Sequence, residues 1–584
     1  MELRNEHAGH RNLQENKVTD QRPPLGLNRG LTSYGDQEFA RYLRRSFARS
    51  MGYSDNLLSR PIIGIASTYS DFNNCHRGVP EIVAAIKRGV LSGGGLPLEF
   101  PTISLGEPFL TPTSIYFRNL MSMDTEEMIR GQPMDAVVLV GGCDKTVPAQ
   151  LMGAASANRP AVQVVTGPMI TGRWRGRRVG ACTDCRRFWA QYRAGSVDTS
   201  EINDVESKLA PTYGTCAVMG TASTMAIIAE TLGMMLPGTA AIPAVHADRL
   251  RAAEASGIAA VNAAKLDLTP GQIITKRSVE NALRVLLAIG GSTNAIIHLT
   301  AIAGRLGIKV SLLDLNRLSD ETPVLVDLKP TGEHYMEDFH AAGGVSAVLH
   351  ELRESLHLDC VTISGNALGK RIDEKPVYID RSVIRSRADP IRKSGGLVAL
   401  HGNLAPRGAI IKTAAATPAL FEREARAVVF TSLEDLAARI DSPSLKVSPI
   451  DALVLQNAGP TSSAAMPEAG YLPIPAKLAR SGITDMIRIS DARMSGTAFG
   501  TVILHAAPDA ASGGAIGLVR DGDVISLSVS RKTIELRVSE DELQRRAMDK
   551  ATESKEPLRG YKWLYHQQIL QADEGCDFAF LRAL

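Results

Sequence analysis

The feature that most constrains the fold of this chain is a change of pattern near residue 395. From about residue 61 to residue 310, short aliphatic runs alternate with helical patterns, as in "PIIGIAS" before "VPEIVAAIKRGVLSG" and "MDAVVLVGGC" before "VPAQLMGAASA". Such alternation is typical of an α/β domain with a largely parallel sheet. Ligands of these sheets bind beyond the carboxyl ends of the strands, where Cys143 would lie.

After about residue 395 the chain is rich in short β-like runs separated by Gly, Asp and Pro, which predicts a compact β-barrel or sandwich with few helices. The runs are "GGLVALHG", "GAIIKTAA", "ARAVVFTS", "DALVLQN", "DMIRISD", "GAIGLVRDGDVISLSVS" and "TIELRVS". A chain of 584 residues exceeds the size of one growing core. We predict a flexible arm over residues 1–30, an α/β domain over 31–393 and a barrel domain over 394–584.

Composition argues against several classes of partner. The net charge of +3 arises from 65 basic and 62 acidic residues, so neither nucleic acid nor an anionic membrane is indicated. The polar N-terminus lacks an apolar signal core. The most apolar stretch, residues 217–245, contains Glu230, Pro237 and several glycines, and fits a buried helix and strand better than a membrane span. Seven cysteines are too few for a disulfide framework, which favours free thiols in the cytoplasm.

Three cysteines share a setting among small or polar residues in turn-like stretches. They are Cys75 in "SDFNNCHRG", Cys143 in "GGCDKT" and Cys216 in "YGTCAVMGTAST". Any one alone could be a small buried hydrophobe. Together they favour shared ligation of a soft metal, whether an iron–sulfur cluster, zinc or copper(I). Three thiolates would leave one iron of a cluster with an open position, which a Lewis-acid catalyst requires.

The other cysteines carry weaker signals. Cys182 and Cys185 form "CTDC", which could be half of a zinc site or a redox pair. No second pair has a suitable spacing, so we interpret both as structural or incidental thiols. Cys360 and Cys576 have no supporting neighbours in the sequence.

Acidic residues near predicted strand ends suggest a site for a hard cation. Glu107 in "TISLGEPF" and Asp144 follow such ends, and Glu468 in "MPEAG" lies on a predicted loop. Carboxylate oxygens suit Mg²⁺, although each residue could equally cap a helix or lie at the surface. Lys145 could add an oxygen ligand only as a carbamate, which composition alone does not indicate.

A loop rich in hydroxyls follows the strand-like "DMIRIS". It reads "ISDARMSGTAFGT" and carries Ser495 and Thr497 among glycines. Such a loop suits a small oxyanion, and its serine could be a base or a nucleophile. The glycine pattern matches no nucleotide-binding motif, and we interpret His401 in "HGNLAPRGA" as structural.

Several long motifs together resemble the dihydroxy-acid dehydratase and phosphogluconate dehydratase family. They are "GGCDKTVPAQLMGAAS", "GTCAVMGTASTMA", "GGSTNAIIHL", "GNLAPRGAIIK", "NAGP" with "MPEAGYLPIP", and "SDARMSGTAFGT". "EFPTISLGE", "GACTDCRRFWAQYRAGSVD" and "RGYKWLYHQQILQADEGCDF" look more like its sugar-acid branch. The resemblance begins near residue 30 and implies an α/β N-terminal domain with a swivel-like C-terminal β-barrel.

The same resemblance implies the cofactors and site residues. It implies a [2Fe-2S] cluster, with [4Fe-4S] as the alternative, together with Mg²⁺ and a homodimer or homotetramer. The implied residues are Cys75, Cys143 and Cys216 for the cluster; Glu107, Asp144, carbamylated Lys145 and Glu468 for Mg²⁺; Ser495 as the base; and Thr497 as a substrate contact.

The function expected from the resemblance is dehydration of a C5 or C6 sugar acid (an aldonate) to a 2-keto-3-deoxy acid. The alternative within the family is dehydration of 2,3-dihydroxyisovalerate, which would need an apolar pocket. A third hypothesis is a paralogue that keeps the cluster but serves in binding or redox sensing. It is motivated by "CTDC" and by residues 461–465, "TSSAA", where the family has a turn rich in glycine and proline. Serine and alanine resist backbone conformations that glycine permits.

Overall fold

The structure is a computed structural model that describes residues 24–31, 33–373, 378–549 and 558–583. Its N-terminal part is built on a four-stranded, fully parallel sheet in the order β2-β1-β3-β4. Every residue of β1 and β3 is buried, as expected of parallel strands covered on both faces. The strands are β1 (Ile62–Ser67), β2 (Leu96–Pro101), β3 (Ala136–Gly141) and β4 (Ala161–Val165).

Helices surround this sheet and continue well beyond it, interrupted by a small antiparallel hairpin of β5 (Gly172–Trp174) and β6 (Arg177–Val179). The helices of the N-terminal part are α1 (Gln37–Ser50), α2 (Asp55–Leu58), α3 (Val79–Ser92), α4 (Ser114–Gly131), α5 (Thr146–Ala157), α6 (Thr183–Arg193), α7 (Thr199–Leu209), α8 (Thr221–Thr231), α9 (Ala247–Leu266), α10 (Pro270–Ile273), α11 (Lys276–Ala288), α12 (Asn294–Gly304), α13 (Leu312–Glu321), α14 (Met336–Ala341), α15 (Gly344–Glu351) and α16 (Leu368–Asp373).

The strand order places a topological switch point between β1 and β3. β1 pairs with β2 on one side and with β3 on the other, so the loops after β1 and β3 leave the same edge side by side. Open α/β sheets bind ligands at such a point. Cys75 lies in a short 3₁₀ helix, Asn74–His76, after β1, and Cys143 directly follows β3.

The C-terminal part is a closed eight-stranded barrel in the order β10-β11-β12-β8-β7-β14-β13-β9, which confirms the barrel and excludes the sandwich. Its strands are β7 (Val398–Gly402), β8 (Ala405–Ile411), β9 (Glu422–Phe430), β10 (Ala452–Leu455), β11 (Ile487–Ser490), β12 (Val502–Ala507), β13 (Val524–Ser528) and β14 (Thr533–Leu536). The helices of this part are α17 (Leu433–Arg439), α18 (Ala476–Arg480), α19 (Glu540–Asp549) and α20 (Gly560–Gln568). Each of the seven predicted runs contains a strand, whereas β12 was not predicted.

One sequence expectation within the N-terminal part is wrong. Residues 217–245 contain helix α8 but no strand, although a buried strand was expected there. Gly233 and Gly238 have φ angles of +93° and +74°, and Pro237 lies between them, so the backbone turns repeatedly. Within the described residues, no helix has the length and apolar character needed to cross a membrane.

The predicted N-terminal arm is described only at its end. Residues 1–23 lie outside the described residues. The backbone N–H of Gly26 and the Arg29 side chain donate hydrogen bonds of 2.7 and 3.0 Å to the buried carboxylate of Asp135, just before β3. These last residues of the arm are therefore held against the sheet.

The segment of residues 558–583 leaves the barrel and packs on the N-terminal part. The Arg118 side chain of α4 donates hydrogen bonds of 2.8 and 2.6 Å to the backbone carbonyls of Gly575 and Cys576. Arg305, just after α12, forms a fully buried two-pronged ion pair with Asp577 at 2.6 and 2.9 Å. This segment fastens the two domains together.

Candidate active site

A buried histidine joins the two loops at the switch point. The backbone N–H of Gly142 donates to Nε2 of His76 at 2.9 Å, and Nδ1 of the same ring lies 2.8 Å from the Thr68 carbonyl. Burial lowers the pKa of His76 to about 4, so the ring is neutral. A Cβ at Gly142 would lie 2.0 Å from Oγ1 of Thr166, which explains the glycine before Cys143.

The three predicted cluster cysteines come together. The buried thiol of Cys75 interacts directly with that of Cys143, and this contact, together with burial, raises the pKa of Cys75. Cys143 has a φ of +65°, an uncommon conformation for a residue other than glycine and one that clusters at functional sites. Cys216, in the loop before α8, is close enough for the charge of Cys75 to affect its pKa.

A fourth thiol, which the sequence interpretation left as incidental, lies at the same place. The Sγ atoms of Cys182 and Cys216 are 3.1 Å apart, and Cys182, Cys185 and Cys216 pack on one small apolar cluster. The spacing of "CTDC" gave no sign of this, because the contact depends on how the start of α6 meets the loop before α8. Cys360 contacts Asn281 instead, and Cys576 contacts Met466.

The predicted Mg²⁺ carboxylates converge on a buried arginine. Arg493 donates a hydrogen bond of 2.6 Å to Glu468 and one of 2.9 Å to Glu107. It also donates to Oγ1 of Thr113 at 2.7 Å, and Ser114 donates to Glu107. Arg493 stands inside the quoted "SDARMSG" motif, but only the structure shows that it links the two acids.

The electrostatics of these acids differ from one to the next. Burial acts to raise the pKa of Glu107, but the charges of Arg493 and Lys145 outweigh it and lower the pKa to about 2. Burial, with the charges of Glu107 and Asp144, raises the pKa of Glu468 to about 7 against the effect of Arg493. Burial also raises the pKa of Asp144.

Lys145 is a fully buried amine among these acids. Its Nζ atom has no hydrogen-bond partner among the described residues, and Oδ2 of Asp144 is 3.8 Å away from it. Burial and the charge of Arg493 lower the pKa of Lys145. A buried polar group without a partner is costly, so such a group calls for an explanation.

Donor chemistry at the site fits the two implied cofactors. Across the described ranges, no three His, Cys, Asp or Glu side chains are already arranged around a single metal ion. The thiols of Cys75, Cys143 and Cys216 nevertheless match an iron–sulfur cluster, and the carboxylates together with Lys145 match a hard cation. The unpartnered Nζ of Lys145 is the observation that supports the second match, since a carbamate there would add an oxygen donor.

The serine loop is positioned by both domains. Oγ of Ser495 lies 2.8 Å from Oγ1 of Thr497. Asn294, at the start of α12, donates to the backbone carbonyl of Met494 at 3.1 Å, and a Cβ at Gly496 would lie 2.6 Å from the backbone nitrogen of Thr221. The motifs "GGSTNAIIHL" and "GTASTMA" therefore support the loop through the N-termini of α12 and α8.

Helix α6 meets the serine loop from the other side. Thr183 donates a hydrogen bond of 3.0 Å to the Thr497 carbonyl. Nε of Arg186 lies 3.5 Å from Oγ1 of Thr497, and its Nη2 lies 3.9 Å from Oε2 of Glu468. The guanidinium also lies over the Tyr471 ring, 5.1 Å from its centre. Arg186 was not predicted from the sequence as a site residue. The only signal that could have indicated it was its position in "CTDCRR".

The turn of residues 461–465 leads to Glu468 through strained backbone. Ala465 and Met466 have φ angles of +52° and +58°, although neither is glycine. The turn is held by hydrogen bonds from the backbone N–H of Ala465 to the Ser462 carbonyl and from that of Met466 to the Gly459 carbonyl, at 3.0 and 3.1 Å. Nε of Arg493 donates to the Met466 carbonyl, so the turn is tied to the carboxylates.

The fold and site define an α/β-plus-barrel protein whose thiols, carboxylates and serine loop meet at one edge of a parallel sheet. Residues 60–371 match the family domain described as "Dihydroxy-acid/6-phosphogluconate dehydratase N-terminal", and residues 382–576 match its C-terminal counterpart. The chain belongs to the dihydroxy-acid/6-phosphogluconate dehydratase family, whose members are hydro-lyases.

The relatives include sugar-acid dehydratases. An L-arabonate dehydratase of Azospirillum brasilense is 45% identical, over 94% of this chain and 96% of that protein. A 6-deoxy-6-sulfo-D-gluconate dehydratase of Pseudomonas putida is 42% identical, over 91% and 92%. A dihydroxy-acid dehydratase of Clostridium botulinum is more distant, at 36% identity over 91% and 97%.

Proposed function

We propose that this protein dehydrates a C5 or C6 aldonate to the 2-keto-3-deoxy acid, using an iron–sulfur cluster and Mg²⁺. The observation that carries the proposal is the polar surround of the serine loop, formed by Thr497, Arg186 and Glu468. The higher identity to sugar-acid dehydratases than to dihydroxy-acid dehydratases supports the same choice.

Hydrogen-bonding groups at this place suit a substrate with several hydroxyls. A buried polar group that loses water without gaining a partner costs about 1–3 kcal/mol. An alkyl end beside Arg186 and Thr497 would leave such groups unpaired, whereas the hydroxyls of a sugar acid would pair with them. The proposal therefore assigns the distal substrate hydroxyls to this side of the site.

In the proposed reaction the protein binds the substrate and moves one proton. The cofactors, held by Cys75, Cys143 and Cys216 and by Glu107, Asp144, Glu468 and carbamylated Lys145, would supply Lewis acidity toward the C3 hydroxyl and toward the carboxylate with its C2 hydroxyl. Oγ of Ser495, deprotonated in the proposed reaction, takes the proton from C2, and the hydroxyl of Thr497 orients this oxygen from 2.8 Å. The C3 hydroxyl leaves as water by taking up the proton that Ser495 removed from C2, and the resulting enol tautomerises to the 2-keto acid.

Arg493 has a supporting role in this scheme. It touches Glu107, Glu468 and the Met466 carbonyl at once, so it fixes the spacing of two acids from different domains. It acts through those acids and is therefore a positioning residue.

An anaerobic activity screen tests the proposal. The protein, loaded with cluster and supplied with Mg²⁺, is assayed against a panel of C5 and C6 aldonates and against 2,3-dihydroxyisovalerate, with 2-keto acid formation as the readout. We expect turnover of one or a few aldonates, lost in Cys143→Ser and after EDTA treatment, and kept in the matched control Cys360→Ser.

Other outcomes point to the alternatives. Turnover of 2,3-dihydroxyisovalerate alone would select the branched-chain reaction. No 2-keto acid from any compound, with iron, sulfide and Mg²⁺ present, would favour the paralogue that binds a cluster without catalysis. Light scattering of the same sample tests the proposed homodimer or homotetramer.

A further inference from the structure

The thiols at the switch point form two pairs. Cys75 interacts with Cys143 on the loops after β1 and β3. Cys182 interacts with Cys216, with their sulfurs 3.1 Å apart, at the start of α6 and before α8. Cys182 also contributes to the raised pKa values of Cys75 and Cys216, so the two pairs are neighbours.

This pairing matches the ligand arrangement of a two-iron cluster. Such a cluster takes four cysteines, two on each iron. Two sulfurs bound to one tetrahedral metal lie about 3.8 Å apart, because each metal–sulfur bond is about 2.3 Å long. The distance between Cys182 and Cys216 is within about 1 Å of that value, so a small shift would let both bind one iron.

We propose that Cys182 is a fourth thiolate ligand of the cluster, paired with Cys216 on the iron that three cysteines would leave open. The inference rests on the proposed cluster, since it assigns one more ligand to that group. It departs from the expectation of three cysteines that the sequence resemblance gave.

The segment that carries Cys182 is well anchored. The backbone N–H of Gly180 donates to the buried carboxylate of Asp184 at 2.9 Å, and the Tyr335 hydroxyl donates to the same oxygen at 2.8 Å. These bonds hold the first turn of α6 in place, so the position of Cys182 follows from the fold.

The same segment touches the proposed substrate contact. Thr183, the next residue, donates to the Thr497 carbonyl, and Arg186 reaches the Thr497 hydroxyl. A substrate that binds at Thr497 therefore meets the segment carrying the fourth ligand. In this proposal Cys182 caps the cluster in the resting protein, and substrate binding displaces it.

The experiment compares four anaerobically reconstituted proteins: the full chain, Cys182→Ala, Cys185→Ala and the double variant. Cys185 is the matched control, because its thiol interacts with Cys182 in the same turn but is not in the Cys216 pair. Iron and sulfide per chain are measured first, and their absence from the unaltered protein would contradict the proposed function itself.

Ligation is then read from Mössbauer spectra of ⁵⁷Fe-loaded protein and from EPR of the reduced cluster. We expect two sulfur-ligated irons in the unaltered protein and in Cys185→Ala, and one altered iron in Cys182→Ala and the double variant. Adding an aldonate that is a substrate to the unaltered protein should also alter one iron, as in Cys182→Ala. Loss of iron from Cys182→Ala alone, with the far-UV circular dichroism unchanged, would also support ligation.

Superimposable spectra of the unaltered protein and Cys182→Ala, at equal iron content, would overturn the proposal. If Cys182→Ala does not fold, Cys182→Ser replaces it, because a serine oxygen on the iron changes the spectra while preserving the side-chain volume. Unchanged spectra in that variant would have the same meaning.

Discussion

The two sides of the Cys143–Asp144 peptide are built by different means. On the thiol side, backbone and His76 place the loops, and the sulfurs contact mainly one another. On the carboxylate side, the fully buried guanidinium of Arg493 bridges partly buried acids from both domains. One half of the site is therefore positioned by backbone and the other by charge. Altering the thiol half should mainly lower activity, whereas altering the carboxylate half should mainly lower stability.

The largest expected effect is a loss of activity when the thiol side is altered, with the protein still folded. Cys143→Ser should lower the rate of 2-keto acid formation roughly 1000-fold or more, because several kcal/mol of Lewis-acid stabilisation would be lost. Its urea unfolding midpoint should fall only by the equivalent of about 1 kcal/mol. Cys360→Ser is the control and should keep its rate. A Cys143→Ser protein with normal turnover would contradict the assigned role.

The next largest expected effect is a loss of stability when the carboxylate side is altered. Arg493→Met leaves the partly buried Glu107 and Glu468 without their cation, which costs up to about 3–5 kcal/mol. Urea titration of the protein without added metal measures this cost. Arg186→Met is the control, since Arg186 lies 3.9 Å from Glu468 and is part exposed, and should cost less than about 1 kcal/mol. Equal losses in the two variants would mean that Arg493 does not organise the acids.

A buried amine away from the carboxylates, that of Lys412, provides a further test of the comparison. Lys412, whose Nζ lies 3.5 Å from the Gly496 carbonyl, is fully buried, and burial lowers its pKa from 10.5 to about 7. Between these values the unfolded chain binds more protons than the folded one, so stability should rise with pH.

The predicted gain between pH 7.5 and pH 9.5 is about 2 kcal/mol, from a limiting slope of about 1.36 kcal/mol per pH unit. Lys412→Met should lack this contribution. The parent should therefore gain stability relative to the variant as pH rises. Urea midpoints of both proteins at the two pH values measure it. A difference that stays constant would show that Lys412 keeps the same charge in both states.

The smallest effect concerns the strained turn that leads to Glu468. Ala465→Gly should stabilise the protein by about 0.5–1 kcal/mol, because relief of the left-handed strain outweighs the added chain entropy. Ala464→Gly is the matched control, since Ala464 lies outside the left-handed region and should lose about 0.5–1 kcal/mol. Thermal unfolding of both variants decides the sign. Turnover that also rises in Ala465→Gly would show that the turn limits activity.

The sequence predicted the architecture better than it predicted the site. Alternation and turn residues located β1, β3 and seven barrel strands, because these runs are bounded by Gly, Pro and Asp. The unpredicted β12 reads "VILHAA", a short apolar run whose periodicity does not distinguish strand from helix. The strand expected in residues 217–245 failed for the complementary reason, since its apolar residues are interrupted by turns.

Contacts between distant segments could not be predicted from local pattern. The thiols of Cys182 and Cys216 meet only because α6 folds back on the loop before α8. Arg493 and Glu107 are 386 residues apart and belong to different domains. Motifs brought the ligand residue types to attention, but tertiary packing decides which of them share a site.

Because residues 558–583 hold the two domains together, the order of synthesis delays completion of the N-terminal domain. The carbonyl of Gly575 that accepts from Arg118 is 457 residues further along the chain. At about 5–20 residues per second, a ribosome needs roughly 20–90 s to make that stretch. During this interval the buried arginine of α4 lacks its final partners, so the N-terminal domain must wait for the far end of the chain before its core is complete.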